Sequence, residues 1–165
     1  MAEEFDLYNR QRRPLGRTHP RGTPLPSGTY HVVVTGWIES EKGAFLMVRR
    51  AEDAASEPGL WEAPGGCVQA GETSLAAVLR EVREELGLEA DPKRVKLLSS
   101  ERQEADRVFY DMFLLRATKK LDELTVDHTE LAEARWMMPA EIEQLHRDGK
   151  LCRWMRNYAD VIYPE

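Results

Sequence analysis

Glu81, Glu84 and Glu85 are the residues of this chain whose types and spacing are best suited to chemistry. Carboxylates this close together on one segment repel one another, so a compensating cation is expected beside them. Mg²⁺ prefers oxygen ligands, keeps several of its waters, and is usually completed by the phosphates of a substrate. The three glutamates therefore predict a site for Mg²⁺ or Mn²⁺ that works on a phosphate-bearing small molecule.

The segment that carries these carboxylates is predicted to be a helix from about Thr73 to Leu86. Its apolar residues recur at helical spacing and fall within an arc of roughly 100°, a normal core-facing stripe; they are Leu75, Val78, Leu79, Val82 and Leu86. The acidic residues fill a second arc next to the apolar one. Gly87 suits a helix stop with glycine in the left-handed conformation. The carboxylates are therefore expected to face a crevice beside the core.

Upstream of this helix, residues 61–66 read Trp-Glu-Ala-Pro-Gly-Gly and predict a strand end that breaks into a turn. Gly65 and Gly66 permit positive φ and close backbone approach, so we expect this loop to admit a diphosphate. Arg50, which ends a predicted strand, is expected to add a cationic contact to the phosphates, with a solvated strand end as the alternative. Without these upstream glycines, the charged residues of the predicted helix would fit a solvent-exposed helix face.

The same stretch resembles the Nudix box, the signature of the Nudix hydrolases. Gly66 is followed after five residues by Glu72, after seven more by Arg80-Glu81, and then by Val82-x-Glu84-Glu85-x-Gly87-Leu88. The resemblance implies a metal-dependent hydrolase that cleaves a diphosphate linkage in a nucleoside diphosphate or another small diphosphate derivative. It also implies an α/β fold, the Nudix α/β/α sandwich with a mixed sheet.

The resemblance further implies roles for individual residues. The three glutamates 81, 84 and 85 would bind the metal ions, and Arg80 would orient a carboxylate. The general base varies among these enzymes, and two candidates stand out, Glu84 in the box and Glu130 in the loop before the strand at Trp136. Asp127 and Glu133 are weaker alternatives in that loop.

A second resemblance, to isopentenyl-diphosphate isomerase and its Nudix relatives, rests on residues 4–8, 16–19 and 28–31. Gly65 stands where those isomerases place a catalytic cysteine, and Cys67 lies two positions later. His31 matches an isomerase metal position, although a histidine satisfied by hydrogen bonds is the simpler interpretation. A hydrolase is therefore favoured; the alternatives are an isomerase-like enzyme and a diphosphate-binding module without catalysis.

The composition narrows the classes of molecule that the protein is expected to bind. The net charge of −6 argues against a non-specific grip on nucleic acid, although residues 10–21 are basic. Two cysteines far apart do not suggest a disulfide framework, and no apolar run approaches the length of a membrane span. We expect a cytoplasmic protein, with a small-molecule diphosphate as partner, no nucleic-acid polymer, no membrane contact and a homodimer as an open option.

Hydrophobic patterns predict the remaining elements. Residues 30–38 and 44–50 are expected to form a hairpin, residues 95–100, 108–117 and 135–138 further strands, and residues 139–147 and 151–161 helices. The length favours one domain. We expect residues 1–27 to be an N-terminal extension packed on a Nudix domain of residues 28–165.

Overall fold

A computed structural model describes residues 2–165. In chain order the elements are β1 (Glu4–Tyr8), β2 (Pro14–Pro20), β3 (His31–Glu39), β4 (Phe45–Arg50), β5 (Trp61–Glu62), β6 (Gly65–Cys67), α1 (Ser74–Leu86), β7 (Lys96–Gln103), β8 (Val108–Arg116), β9 (Leu131–Met137), α2 (Pro139–Arg147) and α3 (Tyr158–Ile162). Short 3₁₀ turns lie at Pro92–Arg94, Leu121–Glu123 and Arg153–Met155.

A mixed seven-stranded sheet, with the central order β5-β4-β3-β8-β7, forms the middle layer. The two longest strands, β3 and β8, run parallel and pair along nine residues from His31↔Val108 to Glu39↔Arg116. One apolar cluster joins α1 to one face of the sheet, and a second joins α2, α3 and the last 3₁₀ turn to the other face. The predicted α/β/α sandwich with a mixed sheet is confirmed.

The predicted hairpin of β3 and β4 is paired only where Glu39 faces Phe45, because the two strands then diverge. Beyond that point β6 pairs with β3, and the short strand β5 pairs with β4. The other side of β4 is covered along its length by β9. The divergence opens a crevice in the sheet, which is lined by Glu62 and by strand β6 from Gly65 to Cys67.

Helix α1 forms where its sequence predicted it. Thr73 caps the first turn by accepting a hydrogen bond from the Ala76 N–H at 3.1 Å, and Gly87 ends the helix with φ of 64°. The buried face lies against β3 at Gly36, where a Cβ would sit 3.0 Å from Val78. A glycine at this position lets the helix approach the sheet closely.

The first two strands form a hairpin that packs on the main sheet. Leu7 is 1% exposed, and the Phe5 ring stacks on His31 with centroids 4.3 Å apart. Arg12 in the turn forms two hydrogen bonds, at 2.7 and 2.5 Å, with the buried carboxylate of Asp111 on β8. The basic N-terminal stretch is therefore a structured extension held by ion pairs. The division of the chain at residue 27 stays a prediction.

The predicted helix over residues 151–161 is wrong in its first half. Leu151 forms a bridge with Trp61, in which the Trp61 N–H donates to the Lys150 carbonyl and the Cys152 N–H to the Trp61 carbonyl, each at 2.8 Å. A 3₁₀ turn and the short helix α3 follow. No helix within residues 2–165 is long and apolar enough to cross a membrane.

Candidate active site

Helix α1 presents two of its glutamates to the interior and one to solvent. Glu81 is 8% exposed and Glu85 is 5% exposed, whereas the side chain of Glu84 is 54% exposed. Residues four positions apart lie on the same face of a helix, so Glu81 and Glu85 are neighbours. All three line one cavity of about 640 Å³. The structure thus places the three predicted metal ligands along one cavity, at the crevice in the sheet.

Gly65 and Gly66 lie in strand β6, where they pair with Thr35 and Val34 of β3. The expectation of a turn with positive φ at these glycines is wrong, because both are in an extended strand and neither has positive φ. Their second expected property, close approach, is observed. A Cβ at Gly66 would overlap Oε1 of Glu81, and one at Gly65 would overlap the carbonyl oxygen of Val34. Both line the cavity, where they were expected to admit a diphosphate.

Arg80 organises the carboxylates around it. Its guanidinium forms two hydrogen bonds with Glu72, at 2.9 and 3.0 Å, and one with Glu81 at 2.9 Å. It also donates to Glu84 at 3.2 Å and to the carbonyl oxygen of Cys67 at 3.1 Å. Burial opposes the charge on Glu72, but the bonds from Arg80 and from the Gln69 N–H outweigh it and lower the pKa of Glu72. Arg80 therefore ties the segment from Cys67 to Glu72 to the helix and holds Glu81 in place.

Burial makes the two inner carboxylates reluctant to ionise. Desolvation, supported by the charges of Glu84 and Glu130, raises the pKa of Glu81 to about 7 despite the neighbouring Arg80. The pKa of Glu85 is also raised, first by burial and then by the charges of Glu62 and Glu81. Oε2 of Glu85 is buried and has no hydrogen-bond partner within the described part of the chain. The site thus gathers more buried carboxyl groups than its own cations can neutralise.

This donor set fits a divalent cation such as Mg²⁺ or Mn²⁺. Across residues 2–165, no three acidic, histidine or cysteine side chains are already gathered around one point. Mg²⁺ does not require such a cage, since it is usually bound through one or two carboxylates, waters and substrate phosphates. The free oxygen of Glu85 and the carboxylate of Glu81 are suited to that role.

Of the loop residues considered as a general base, Glu130 is the one that lines the cavity. Its charge acts on both Glu81 and Glu85, so it faces the same space. The alternatives are engaged elsewhere, since Asp127 accepts two hydrogen bonds from Thr129 and Glu133 binds Arg49 and Arg135. The geometry favours Glu130 over those two.

Arg50, expected to contact phosphate, lines the cavity but is already bonded within the fold. It donates to Glu62 at 2.7 Å and to the carbonyl oxygen of Ser56 at 2.9 Å, and its guanidinium lies over the Trp154 ring. Glu62 also accepts a hydrogen bond from the Trp154 indole at 2.7 Å. A phosphate contact at Arg50 would have to share a guanidinium that already holds Glu62.

The cavity extends beyond the residues that sequence reasoning singled out. Its further lining includes Arg21, Glu62, Gln103, Asp106, Tyr110 and Arg153. These residues come from separate strands and loops, and no motif links them. Part of the set follows from the pairing register of the strands, once it is known, because His31, Val108 and Gln103 are adjacent across β3, β8 and β7.

Two of the residues compared with the isomerases lack a reactive thiol, and the third is a buried histidine. Gly65 in β6 carries no thiol, and burial raises the pKa of the nearby Cys67, so that its thiol is a poor nucleophile. His31 was expected to be satisfied by hydrogen bonds, but its Nδ1 is buried with no partner among the described residues. Burial lowers the pKa of His31 to about 4.

Comparisons with known proteins agree with this geometry. Residues 29–155 match the NUDIX domain. A Nudix hydrolase of Listeria monocytogenes is 36% identical over 149 residues, which cover 90% of this chain and 87% of that protein. An isopentenyl-diphosphate Delta-isomerase of Escherichia coli is 33% identical over 92 residues, 55% of this chain and 50% of the isomerase. A crystal structure from Deinococcus radiodurans shares the fold with a TM-score of 0.78 and 23% identity, covering 97% of each chain.

Proposed function

The chain belongs to the Nudix family of hydrolases, and on that premise we propose that it is a metal-dependent enzyme that cleaves a diphosphate linkage in a nucleoside diphosphate or another small diphosphate derivative. Its similarity to the isomerase covers about half of each chain, and it lacks the catalytic thiol that the resemblance would require at Gly65. Hydrolysis is therefore the reaction that the site supports best.

One observation carries this proposal: the two buried carboxylates of α1, Glu81 and Glu85, face a cavity in which the protein's own cations do not fully neutralise them. Oε2 of Glu85 has no partner in the part of the chain that the structure covers, and burial raises the pKa of Glu81 to about 7. Leaving a buried charge uncompensated is costly, so a protein that keeps both groups has a use for a cation there. A pure binding module would not need this arrangement.

We assign Glu81, Glu84 and Glu85 as the ligands of Mg²⁺ or Mn²⁺. When bound, such an ion neutralises charge that develops on the phosphates and lowers the pKa of a bound water. Arg80 keeps the Glu81 carboxylate directed at the cavity through the bond of 2.9 Å and is itself fixed by Glu72. Gly65 and Gly66 leave room for the diphosphate against β6, and Arg50 supports the adjoining wall through Glu62.

The attacking water needs a carboxylate that it can reach. Glu84 meets this need because its side chain is half exposed at the cavity margin. Glu130 is exposed and faces the same space from the loop before β9. A general base must lie within hydrogen-bond reach of the water that it deprotonates. We propose Glu84 as ligand or base and Glu130 as the second candidate for the base.

Metal-dependent turnover tests this function directly. The purified protein is incubated with ADP, UDP-glucose and isopentenyl diphosphate, with Mg²⁺, Mn²⁺ or EDTA, and released phosphates and double-bond migration are followed. We expect cleavage with either metal and none with EDTA. Glu84→Gln should lower kcat by at least about 100-fold, because loss of one catalytic acid–base group costs 10²–10⁴-fold. A Glu130→Gln variant with unchanged kcat would remove Glu130 as the base.

The matched control is Glu89→Gln, which makes the same change at an exposed residue just beyond α1 and outside the cavity lining. It should retain wild-type kcat. Double-bond migration without cleavage would instead support an isomerase-like enzyme. Binding of the diphosphates without turnover, unaffected by Glu84→Gln, would support a non-catalytic module.

Three broader assignments complete the proposal. We propose that residues 28–165 form one Nudix domain on which residues 1–27 pack as an extension, as the contacts of Phe5 and Arg12 suggest. A cytoplasmic location agrees with two free cysteines. Association into a homodimer is proposed from the fold type alone and is checked by light scattering.

A further inference from the structure

The end of the cavity formed by the sheet carries polar groups that catalysis does not use. Sheet register places His31, Val108 and Gln103 side by side, since His31 pairs with Val108 and Val108 pairs with Gln103. Residues directly opposite one another on paired strands project to the same face. All three line the cavity, so the two polar residues flank an apolar floor at Val108.

Gln103 presents a donor that the fold leaves unused. The residue is 7% exposed, and its Oε1 accepts a long hydrogen bond of 3.4 Å from Arg156. Its Nε2, which can donate two hydrogen bonds, is buried and has no partner within residues 2–165. Buried amide groups are paired in nearly all proteins, so an unpaired one beside a cavity points to a ligand.

His31 adds a second unpaired nitrogen to the same face. Its Nδ1 has no partner among the described residues, and its ring is held in place by stacking on Phe5. Burial, together with the charge of Arg21, keeps the imidazole neutral near pH 7. It therefore offers a neutral hydrogen-bonding group rather than a cation.

The charged residues around this compartment are already paired with one another. Arg21 binds Glu3 at 2.6 Å, and Arg153 binds Asp106 at 2.9 Å. Paired charges of opposite sign do not favour a second phosphate. The compartment therefore suits a neutral polar group, whereas the carboxylates of α1 lie at the metal end of the same cavity.

We propose that Gln103 and His31 determine specificity by binding an oxygen-bearing, neutral polar group on the moiety joined to the diphosphate. This inference rests on the proposed function, since it treats the cavity as a substrate site. A carbonyl oxygen of a base or a hydroxyl group of a sugar would accept from the Gln103 amide. A hydrocarbon chain would leave both nitrogens buried and unpaired, and sites built to bond a polar group reject analogues that lack it.

The test compares Gln103→Met with wild type on ADP, UDP and isopentenyl diphosphate. Methionine keeps the length of the side chain and removes both donors. We expect kcat/KM for the nucleotides to fall about 10- to 100-fold, the effect of leaving one hydrogen-bonding group without its partner. Turnover of isopentenyl diphosphate, which has no oxygen apart from those of its diphosphate ester, should change less than about threefold. A loss for both nucleotides assigns the contact to the ribose, and a loss for UDP alone assigns it to the base carbonyl.

Gln144→Met is the matched control, because Gln144 is exposed on α2 and lies outside the cavity lining. His31→Phe is the second variant, which retains a ring to stack on Phe5 and removes the nitrogen. Thermal unfolding of each variant shows whether it is folded. A wild-type preference for isopentenyl diphosphate, or an equal loss on all three substrates, would overturn the proposal.

Calorimetric titration with ADP and UDP separates this inference from the proposed function. If the wild-type protein hydrolyses nothing, the hydrolase proposal fails, but Kd still reports on the compartment. Nucleotide binding that weakens at least tenfold in Gln103→Met and not in Gln144→Met supports the inference. Equal Kd values in all three proteins refute it.

Discussion

Replacing Gly66 by alanine should displace the carboxylate of Glu81, a proposed metal ligand, without disturbing the sheet. The new Cβ would overlap Oε1 of Glu81 and lie 2.6 Å from its Cδ. Carbon atoms in contact prefer separations of about 3.5–4.0 Å, so the carboxyl group has to move by about 1 Å. That movement breaks the bond of 2.9 Å from Arg80. The backbone of β6 can stay in register with Val34, because the overlapping atoms belong to a side chain.

The expected cost follows from that displacement. Misplacing a reactive group by about 1 Å lowers rates by about 100-fold, so kcat with Mg²⁺ should fall by that factor. The free energy of unfolding should fall by about 1–3 kcal/mol, the usual cost of overpacking. The assays are steady-state hydrolysis over a Mg²⁺ titration and urea unfolding without metal.

Gly65→Ala is the matched comparison, because the same methyl group there meets backbone instead of a side chain. Its Cβ would overlap the carbonyl oxygen of Val34 and lie 2.9 Å from Cα of Thr35. Strand β6 must then separate from β3, so Gly65→Ala should be the less stable variant by at least about 1 kcal/mol. Wild-type kcat in Gly66→Ala, or wild-type stability in Gly65→Ala, would refute the reasoning.

Two further predictions concern the hairpin and its neighbours. Because burial lowers the pKa of His31 from 6.5 to about 4, its neutral form stabilises the fold above pH 6.5, and this contribution is lost as pH falls from 6.5 to 4. Between pH 6.5 and 4, the free energy of unfolding of the wild type should fall by about 3 kcal/mol more than that of His31→Phe, as measured by urea unfolding. The magnitude follows because each tenfold change in proton affinity corresponds to about 1.4 kcal/mol. Parallel pH profiles of the two proteins would contradict this. The side chain of Asp111 is 3% exposed, and Arg12→Ala leaves its carboxylate with neutral partners such as the Ser100 hydroxyl. The variant should lose about 2–4 kcal/mol in urea unfolding and expose residues 4–20 to proteolysis. Arg13→Ala, a change at an exposed residue, should affect neither.

The sequence predicted best those features that depend on neighbouring residues. Helix α1 was bounded correctly because its apolar stripe and its stop at Gly87 are local signals. The three glutamates reach one cavity for the same reason, since helical geometry alone fixes their relative positions. Their chemical roles stay predictions until the variants are measured.

Features that depend on distant pairing were not predictable in the same way. The sequence indicated a helix at Leu151, but backbone bonds with Trp61, ninety residues earlier, hold that segment extended. Gly65 and Gly66 were expected to combine a turn with close backbone approach, but only the approach is observed, because β3 and Glu81 lie against them. The pairing that places Gln103 and His31 on either side of Val108 involves three strands and leaves no trace in any one local sequence.

The ion pair between Arg12 and Asp111 joins residues 99 positions apart, so it can form only after the chain between them has been synthesised. A ribosome adds about 5–20 residues per second, so the hairpin is made roughly 5–20 s before its partner on β8 emerges. Until then, its apolar residues Phe5 and Leu7 have only the earlier strands, such as β3 with His31, to cover. Because Glu3 and Arg21 flank the hairpin and line the cavity, the cavity wall is completed only when this early segment docks on late ones. Nascent chains that end before β8 should therefore present the hairpin to chaperones rather than bind substrate.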